Sequence, residues 1–306
     1  MSLSHEQSRQ MVDVGHVHAG LRATQRELFR GYRYAPRWRT IAGRDYFYIG
    51  EQSQGARSAD METAYATYRQ SREALQTRLL ASKSRLEDMA PVNIALKLGR
   101  VPKLPARILR ALDAEGLLDE RRLRVIGTMA MYAYEAAAGN YFQSDILATL
   151  DLDLCWDAKE RLEIFAEDGS ERTVLSILKR VDRSFDTGKL YGFSASNDEN
   201  FIVDLIAPRL EDSSPATGIA GDIAASPIPE VEALIGLAFS AMAMGEDGLP
   251  VQIVCPLPDA FVAHKRAIST AAGRKPLQRS RDAAQAAAVE KIAPVLNATG
   301  GMYRLR

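Results

Sequence analysis

The sequence predicts an α+β fold: a mixed sheet flanked by helices, with a helical arm and hairpin before it and a mainly helical region after it. Three observations lead there. Both ends of the chain carry apolar residues at helical spacing, at about 6–30 and 59–95 and again at about 258–272 and 278–296. Short apolar runs of strand length lie between those helices, at 148–156, 201–206 and 251–255. A stretch rich in Ser, Pro, Gly and Ala, 211–229, separates the middle from the last part and reads as a loop or linker.

Taken in order, Met11, Val14, Val17 and Leu21 place a polar helix over 6–30. Trp38, Ile41, Tyr46, Phe47, Tyr48 and Ile49 surround Ala42-Gly43-Arg44-Asp45, the pattern of a hairpin or short sheet. Tyr65, Tyr68, Leu75, Leu79, Leu86 and Met89 recur at sums of three and four, which predicts a long helical arm suited to packing on another helix and to forming a homodimer. Pro105 opens a further helix that Gly116 closes. Thr128 to Ala138 is helical in character, Ala148 to Trp156 a strand, Thr173 to Val181 a helix, and Leu190–Phe193 and Phe201–Ile206 are strands. Val231 to Met244 is apolar, Val251 to Cys255 a strand. The resulting division is 1–120, 121–215 and 216–306.

Composition narrows the function classes. The 306 residues are 46% hydrophobic and 25% charged, with 39 basic and 39 acidic side chains, so net charge argues for neither nucleic acid nor membrane. Two cysteines, Cys155 and Cys255, exclude a disulfide scaffold and suit a reducing cytosol. The polar N-terminus has no apolar core of a secretory signal, and no apolar run is long enough to span a bilayer, so the expected location is cytoplasmic.

The chemistry concentrates at Asp151 and Asp153. Two residues apart on a strand, they point the same way while Leu152 and Leu154 pack on the other face. Like charges side by side are costly unless a cation lies between them. Oxygen-only ligation favours Mg²⁺ or Mn²⁺. A third acid, Asp204, stands alone in the apolar run 201–206. If its strand lies beside the first, three carboxylates meet at one sheet edge and can hold two metal ions. Upstream, Gly127 and Thr128 open a helix, where free N–H groups and a hydroxyl suit a phosphate. An Asp-x-Asp pair also fits a glycosyltransferase that holds Mn²⁺ and a sugar nucleotide.

With these residues the chain resembles the DNA polymerase β-like nucleotidyltransferase superfamily, whose pattern is a Gly-Ser or similar turn opening a helix, a strand with Asp-x-Asp, and a third acid on a neighbouring strand. It is similar in particular to a bacterial group of nucleotidyltransferase-fold proteins, through W-R-T-I-A-G-R-D-Y-F-Y, G-R-V-P-K-L-P-A-R-I-L-R-A-L, G-T-M-A-M-Y-A-Y-E-A-A-A-G, D-L-D-L-C-W-D, V-D-R-S-F, V-D-L-I-A-P and G-L-P-V-Q-I-V-C-P-L-P-D-A-F-V-A-H-K. Two departures stand out: the turn is Gly-Thr, and 24 residues separate Gly127 from Asp151, which implies an insertion near 140–146. The resemblance implies a polymerase β-like core and a Mg²⁺- or Mn²⁺-dependent enzyme. It would move a nucleoside monophosphate from an NTP to an acceptor hydroxyl, on Asp151, Asp153 and Asp204. By the same resemblance Lys265 contacts the phosphates, and Asp282, with Arg281 beside it, orients that lysine or the acceptor. Arg183 of V-D-R-S-F is a further phosphate candidate.

Between Arg30 and Arg57 six arginines face two acids, with aromatic residues interleaved. Arg37, Trp38, Arg39 and Arg44 therefore offer a surface for an RNA or tRNA acceptor. The competing expectation is an aromatic core with its arginines in solvent. From a different class, the fold could serve a non-catalytic nucleotide- or RNA-binding regulator, or one half of a toxin–antitoxin pair.

Overall fold

The computed structural model describes residues 2–119, 121–159, 161–165, 170–188, 192–208 and 215–299. The chain divides into two compact units: Met1–Val12 with Ala90–Leu162 and Thr173–Arg306, and Asp13–Met89 with Glu163–Arg172. Two long helices, α1 (His5–Gly31) and α2 (Ala59–Ala95), run through both stretches of chain.

The smaller unit holds most of α1 and α2 and a three-stranded antiparallel sheet, β1 (Pro36–Ile41), β2 (Arg44–Ile49) and β3 (Gln52–Ala56). Ile41 pairs with Arg44 across the two-residue turn Ala42-Gly43. Both turn residues have positive φ, 50° and 78°, the backbone that matches the twist of a tight hairpin. Register puts Trp38 opposite Phe47 on one face. That face packs on α2: the Trp38 ring lies 5.3 Å from Tyr65, and the Phe47 ring 6.5 Å from Tyr68. Arg37 opposite Tyr48 and Arg39 opposite Tyr46 share the other face.

The larger unit is built on a mixed sheet in the order β4 (Leu123–Val125), β5 (Asp151–Trp156), β8 (Ile202–Ala207), β7 (Ser194–Ser196), β6 (Asp186–Thr187), with β9 (Ser226–Pro227) also beside β8. β5 and β8 run parallel, whereas β4 is antiparallel to β5, and β7 to β8. Leu152, Leu154, Val203 and Leu205 are buried on one face of the central pair. A second antiparallel pair, β10 (Ala238–Met244) and β11 (Pro250–Pro256), carries Phe239 against the Tyr134 ring at 5.5 Å. The helices are α3 (Lys103–Ala114), α4 (Met131–Ala138), α5 (Ser144–Leu147), α6 (Val174–Val181), α7 (Pro258–Ser269) and α8 (Pro276–Thr299). None of the described helices is long and apolar enough to cross a membrane.

Several boundaries differ from expectation for physical reasons. α3 starts two residues before Pro105, which sits in the first turn where a missing N–H is no loss. The helix after Gly127 begins as a 3₁₀ turn, Gly127–Ala130, before α4 continues it to the left-handed Gly139. The extra length before Asp151 includes the short α5. Leu190 and Tyr191 of the expected 190–193 strand lie outside the described residues. The strand there is β7, and Gly192 and Phe193 precede it. The apolar segment 231–244 splits into a 3₁₀ turn, Pro229–Leu234, and β10.

Candidate active site

The site starts from the β5–β8 pairing. Asp153 and Asp204 are direct register partners on adjacent parallel strands. Neighbouring residues in register share a sheet face, and Asp151 shares it by alternation. The three acids therefore lie together, opposite the buried leucines and Val203. Asp153 feels this most. Burial first, then the charges of Asp151 and Asp204, push its carboxyl from the ordinary 3.8 to about 7, against the pull of Lys265 and Arg274. Asp204 is also raised, by burial and by Asp151. Asp151 accepts a hydrogen bond from the Thr149 hydroxyl.

The glycine turn rests on the same carboxylate. β4 pairs with β5, and the Ile126 N–H donates to the Asp153 carbonyl at 2.9 Å, which delivers Gly127 to the acid. Gly127 has φ +64°, and a Cβ there would stand 2.1 Å from Asp153 Oδ2. Any other residue would both strain the backbone and drive into the carboxylate.

Two cations act on the acids, Lys265 of α7 and Arg274 of the turn that follows it, and both are held by Asp282 of α8. Lys265 Nζ donates to Asp282 Oδ1 at 2.8 Å, and Arg274 Nε to Asp282 Oδ2 at 2.8 Å. The side chains of Lys265 and Asp282 are only 5% and 1% exposed. Burial would raise the Asp282 carboxyl, but bonds from Arg274 and Lys265 outweigh it and hold the group below its usual range. Burial lowers the Lys265 ammonium, with Asp282 opposing. One turn along α8, the buried Gln285 donates to Thr128 Oγ1 at 3.1 Å and to the Ile146 carbonyl at 2.7 Å.

Gly127, Thr128, Asp151, Asp153, Asp204, Lys265 and Asp282 are thus linked by register, hydrogen bonds or electrostatic influence. Arg183 is exposed in the turn after α6, where Asp182 bonds Ser184 and Asn197, and the cations acting on Asp153 are Lys265 and Arg274. Arg281 donates to the Ala148 carbonyl at 3.0 Å, and the arginine on Asp282 is Arg274. Arg274, between α7 and α8, has no motif around it that singles it out. Gln285, three residues after Asp282 on the same helical face, could have been found by that spacing.

The three carboxylates suit a hard divalent cation in kind: oxygen donors, mutual repulsion, and raised proton affinity at Asp153 and Asp204. Among the described residues no group of three or more His, Cys, Asp or Glu side chains is gathered closely enough to hold a metal ion as it stands. Cys155 and Cys255 are buried free thiols, each pushed up to about 12 chiefly by burial, and take no part.

In the small unit, Trp38 is stacked on Tyr65 and lies under the Arg57 guanidinium at 5.2 Å. Arg37 and Arg39 share the carboxylate of Glu51, and Arg44 is exposed.

An acidic strand pair, a glycine turn against Asp153 and a buried lysine thus sit on one α+β fold. Comparison makes this specific: a family model described as nucleotidyltransferase matches residues 103–295, from the first residue of α3 into α8. The match covers well over half of the chain, and the chain belongs to the nucleotidyltransferase family. No curated protein and no solved structure matches it. Membership implies a transferase with an NTP substrate, in a family that usually uses divalent metals.

Proposed function

We propose that the protein moves a nucleoside monophosphate from an NTP to a hydroxyl of an acceptor, with a polymerase β-like core and Asp151, Asp153 and Asp204 at its centre. The observation that carries the reading is the register pairing of Asp153 with Asp204 on adjacent parallel strands, with Asp151 on the same face. Such an acid cluster is unfavourable in a resting fold and useful only where a cation joins it. The three carboxylates would hold Mg²⁺ or Mn²⁺, whose chemistry here is to neutralise phosphate charge and make the acceptor hydroxyl more acidic.

The chain's own groups do the rest. Gly127 lets backbone approach the triphosphate, and Thr128 offers it a hydroxyl. Lys265 Nζ keeps donors beyond the one given to Asp282 and offsets phosphate charge. The acceptor oxygen attacks the α-phosphorus, the bond to the β-phosphate bridging oxygen breaks, and pyrophosphate leaves. The acceptor proton passes to an Asp204 carboxylate oxygen or to water.

Pyrophosphate release from each NTP with Mg²⁺ and total RNA, protein or aminoglycoside-like acceptors tests this. Asp153→Ala should lower the rate by at least about 1000-fold, and a folded Asp153→Ala variant of full activity refutes the assignment. Thermal stabilisation that needs both NTP and Mg²⁺, and disappears in Asp204→Ala, separates an enzyme from a regulator that binds without turnover.

For the acceptor, the outer sheet face favours RNA. Arg37, Arg39, Tyr46 and Tyr48 share it, and the Arg39 guanidinium lies 5.5 Å from the Tyr48 ring centroid. Trp38 belongs to the packed face and is not a stacking residue in this reading. Phosphates would replace Glu51 on Arg37 and Arg39. Retention of a short single-stranded RNA at low salt should fall in the Arg37→Ala/Arg39→Ala/Arg44→Ala variant and rise in Glu51→Gln; unchanged retention in both sinks the RNA reading.

A further inference from the structure

The side chain of Gln285 is fully buried, on the α8 face that also carries Asp282. Its amide orientation is determined by its neighbours. The Ile146 carbonyl can only accept, so the amide nitrogen must face it at 2.7 Å. That same nitrogen is 3.1 Å from Thr128 Oγ1. Thr128 therefore receives a hydrogen bond from Gln285, and its own O–H points elsewhere. Among the described residues no protein acceptor takes that proton.

A second observation concerns the other end of the amide. Gln285 Oε1 is buried and has no donor. Buried side-chain oxygens are nearly always satisfied, and a glutamine kept for packing alone would be replaced by an apolar residue at little cost. The nitrogen end is the part in use. Four residues earlier, Arg281 donates to Ala148 at 3.0 Å. One helix face thus holds both the Thr128 turn and the segment that leads into β5.

We propose that Gln285 is a positioning residue of the nucleotide site: by donating to Thr128 Oγ1 it commits the Thr128 hydroxyl to donate to a phosphate oxygen of the incoming triphosphate. The proposal rests on the nucleotidyltransferase reading and adds a residue to it. It also explains why the amide matters. A carboxylate at position 285 would accept from Thr128, turn its proton away from the phosphate and repel the Ile146 carbonyl. An apolar side chain would leave the hydroxyl free to rotate.

Calorimetric binding of inorganic tripolyphosphate with Mg²⁺, a probe without a base, tests the pairing in the full chain. Thr128→Val and Gln285→Glu should each weaken binding about tenfold or more. The double variant should be no weaker than the worse single, because both remove one donor. Thr128→Ser should bind like the native protein only while Gln285 is present. If Gln285→Glu does not fold, Gln285→Met takes its place in the cycle. Independent, multiplicative losses, or native affinity in the Gln285 variant, overturn the positioning role while leaving the nucleotidyltransferase reading standing. Failure of the native protein to bind either tripolyphosphate or any NTP overturns both.

Discussion

Asp282 and Asp153 are both enclosed carboxylates facing one another's surroundings, yet they behave oppositely. Asp282 is fully buried but bonded to Lys265 and Arg274, and its carboxyl is held below the usual range. Asp153 also loses most of its hydration, and burial first, then the charges of Asp151 and Asp204, raise its carboxyl to about 7. Glu135 stands between them. Burial raises it even though Arg100 forms a two-point ion pair at 2.9 and 3.2 Å. The lesson is that depth sets the cost and the partner decides whether it is offset. Asp282 has its partners within the protein. Among the described residues no cation is hydrogen-bonded to Asp153, and Lys265 and Arg274 only partly offset its neighbours' charge.

The contrast can be broken from either side. The largest effect on folding should come from Asp282→Ala, which leaves the Lys265 ammonium buried and unpaired; urea unfolding should show a loss of about 3–5 kcal/mol. A loss below about 1 kcal/mol would mean that the lysine finds another partner. Asp153→Asn should do the reverse. Without metal at pH 8 it removes a repelled charge, and the melting temperature should rise by roughly 2–6 °C. The native carboxyl, with its pKa raised from 3.8 to about 7, keeps a proton between those values that the unfolded chain has released. Its contribution to stability therefore declines as pH climbs through that window. The gain in Asp153→Asn should accordingly shrink by pH 5. The smallest effect belongs to Arg37→Ala. Its pair with Glu51 is surface exposed, at 42% and 68%, and the melting temperature should move by less than about 2 °C.

The parts legible in the sequence are those with long periodic signals. α2 covers 59–95 as the spacing of its tyrosines and leucines predicts, and it continues through Pro91. β4 was illegible. It is three residues long, and its central Arg124 is buried, with the guanidinium on the carbonyls of Leu234 and Gly236 at 3.0 and 2.7 Å. No local pattern anticipates an arginine satisfied by carbonyls more than a hundred residues away. For the site, alternation placed Asp151 and Asp153 on one face, but only strand pairing puts Asp204 in register with Asp153. The resemblance implies that Asp282 orients Lys265, and that pair is present, while the adjacent Arg281 turns to the Ala148 carbonyl. On a helix, neighbouring residues point apart, and Arg274, just before α8, reaches the carboxylate instead.

The most direct measurement is the melting temperature at pH 8 of the native protein and of Asp153→Asn, each with and without Mg²⁺. If the acid cluster is a cation site awaiting its charge, Mg²⁺ should stabilise the native protein clearly and the variant, already relieved of repulsion, far less. Equal shifts in both proteins, or none in the native one, would contradict the account at its centre.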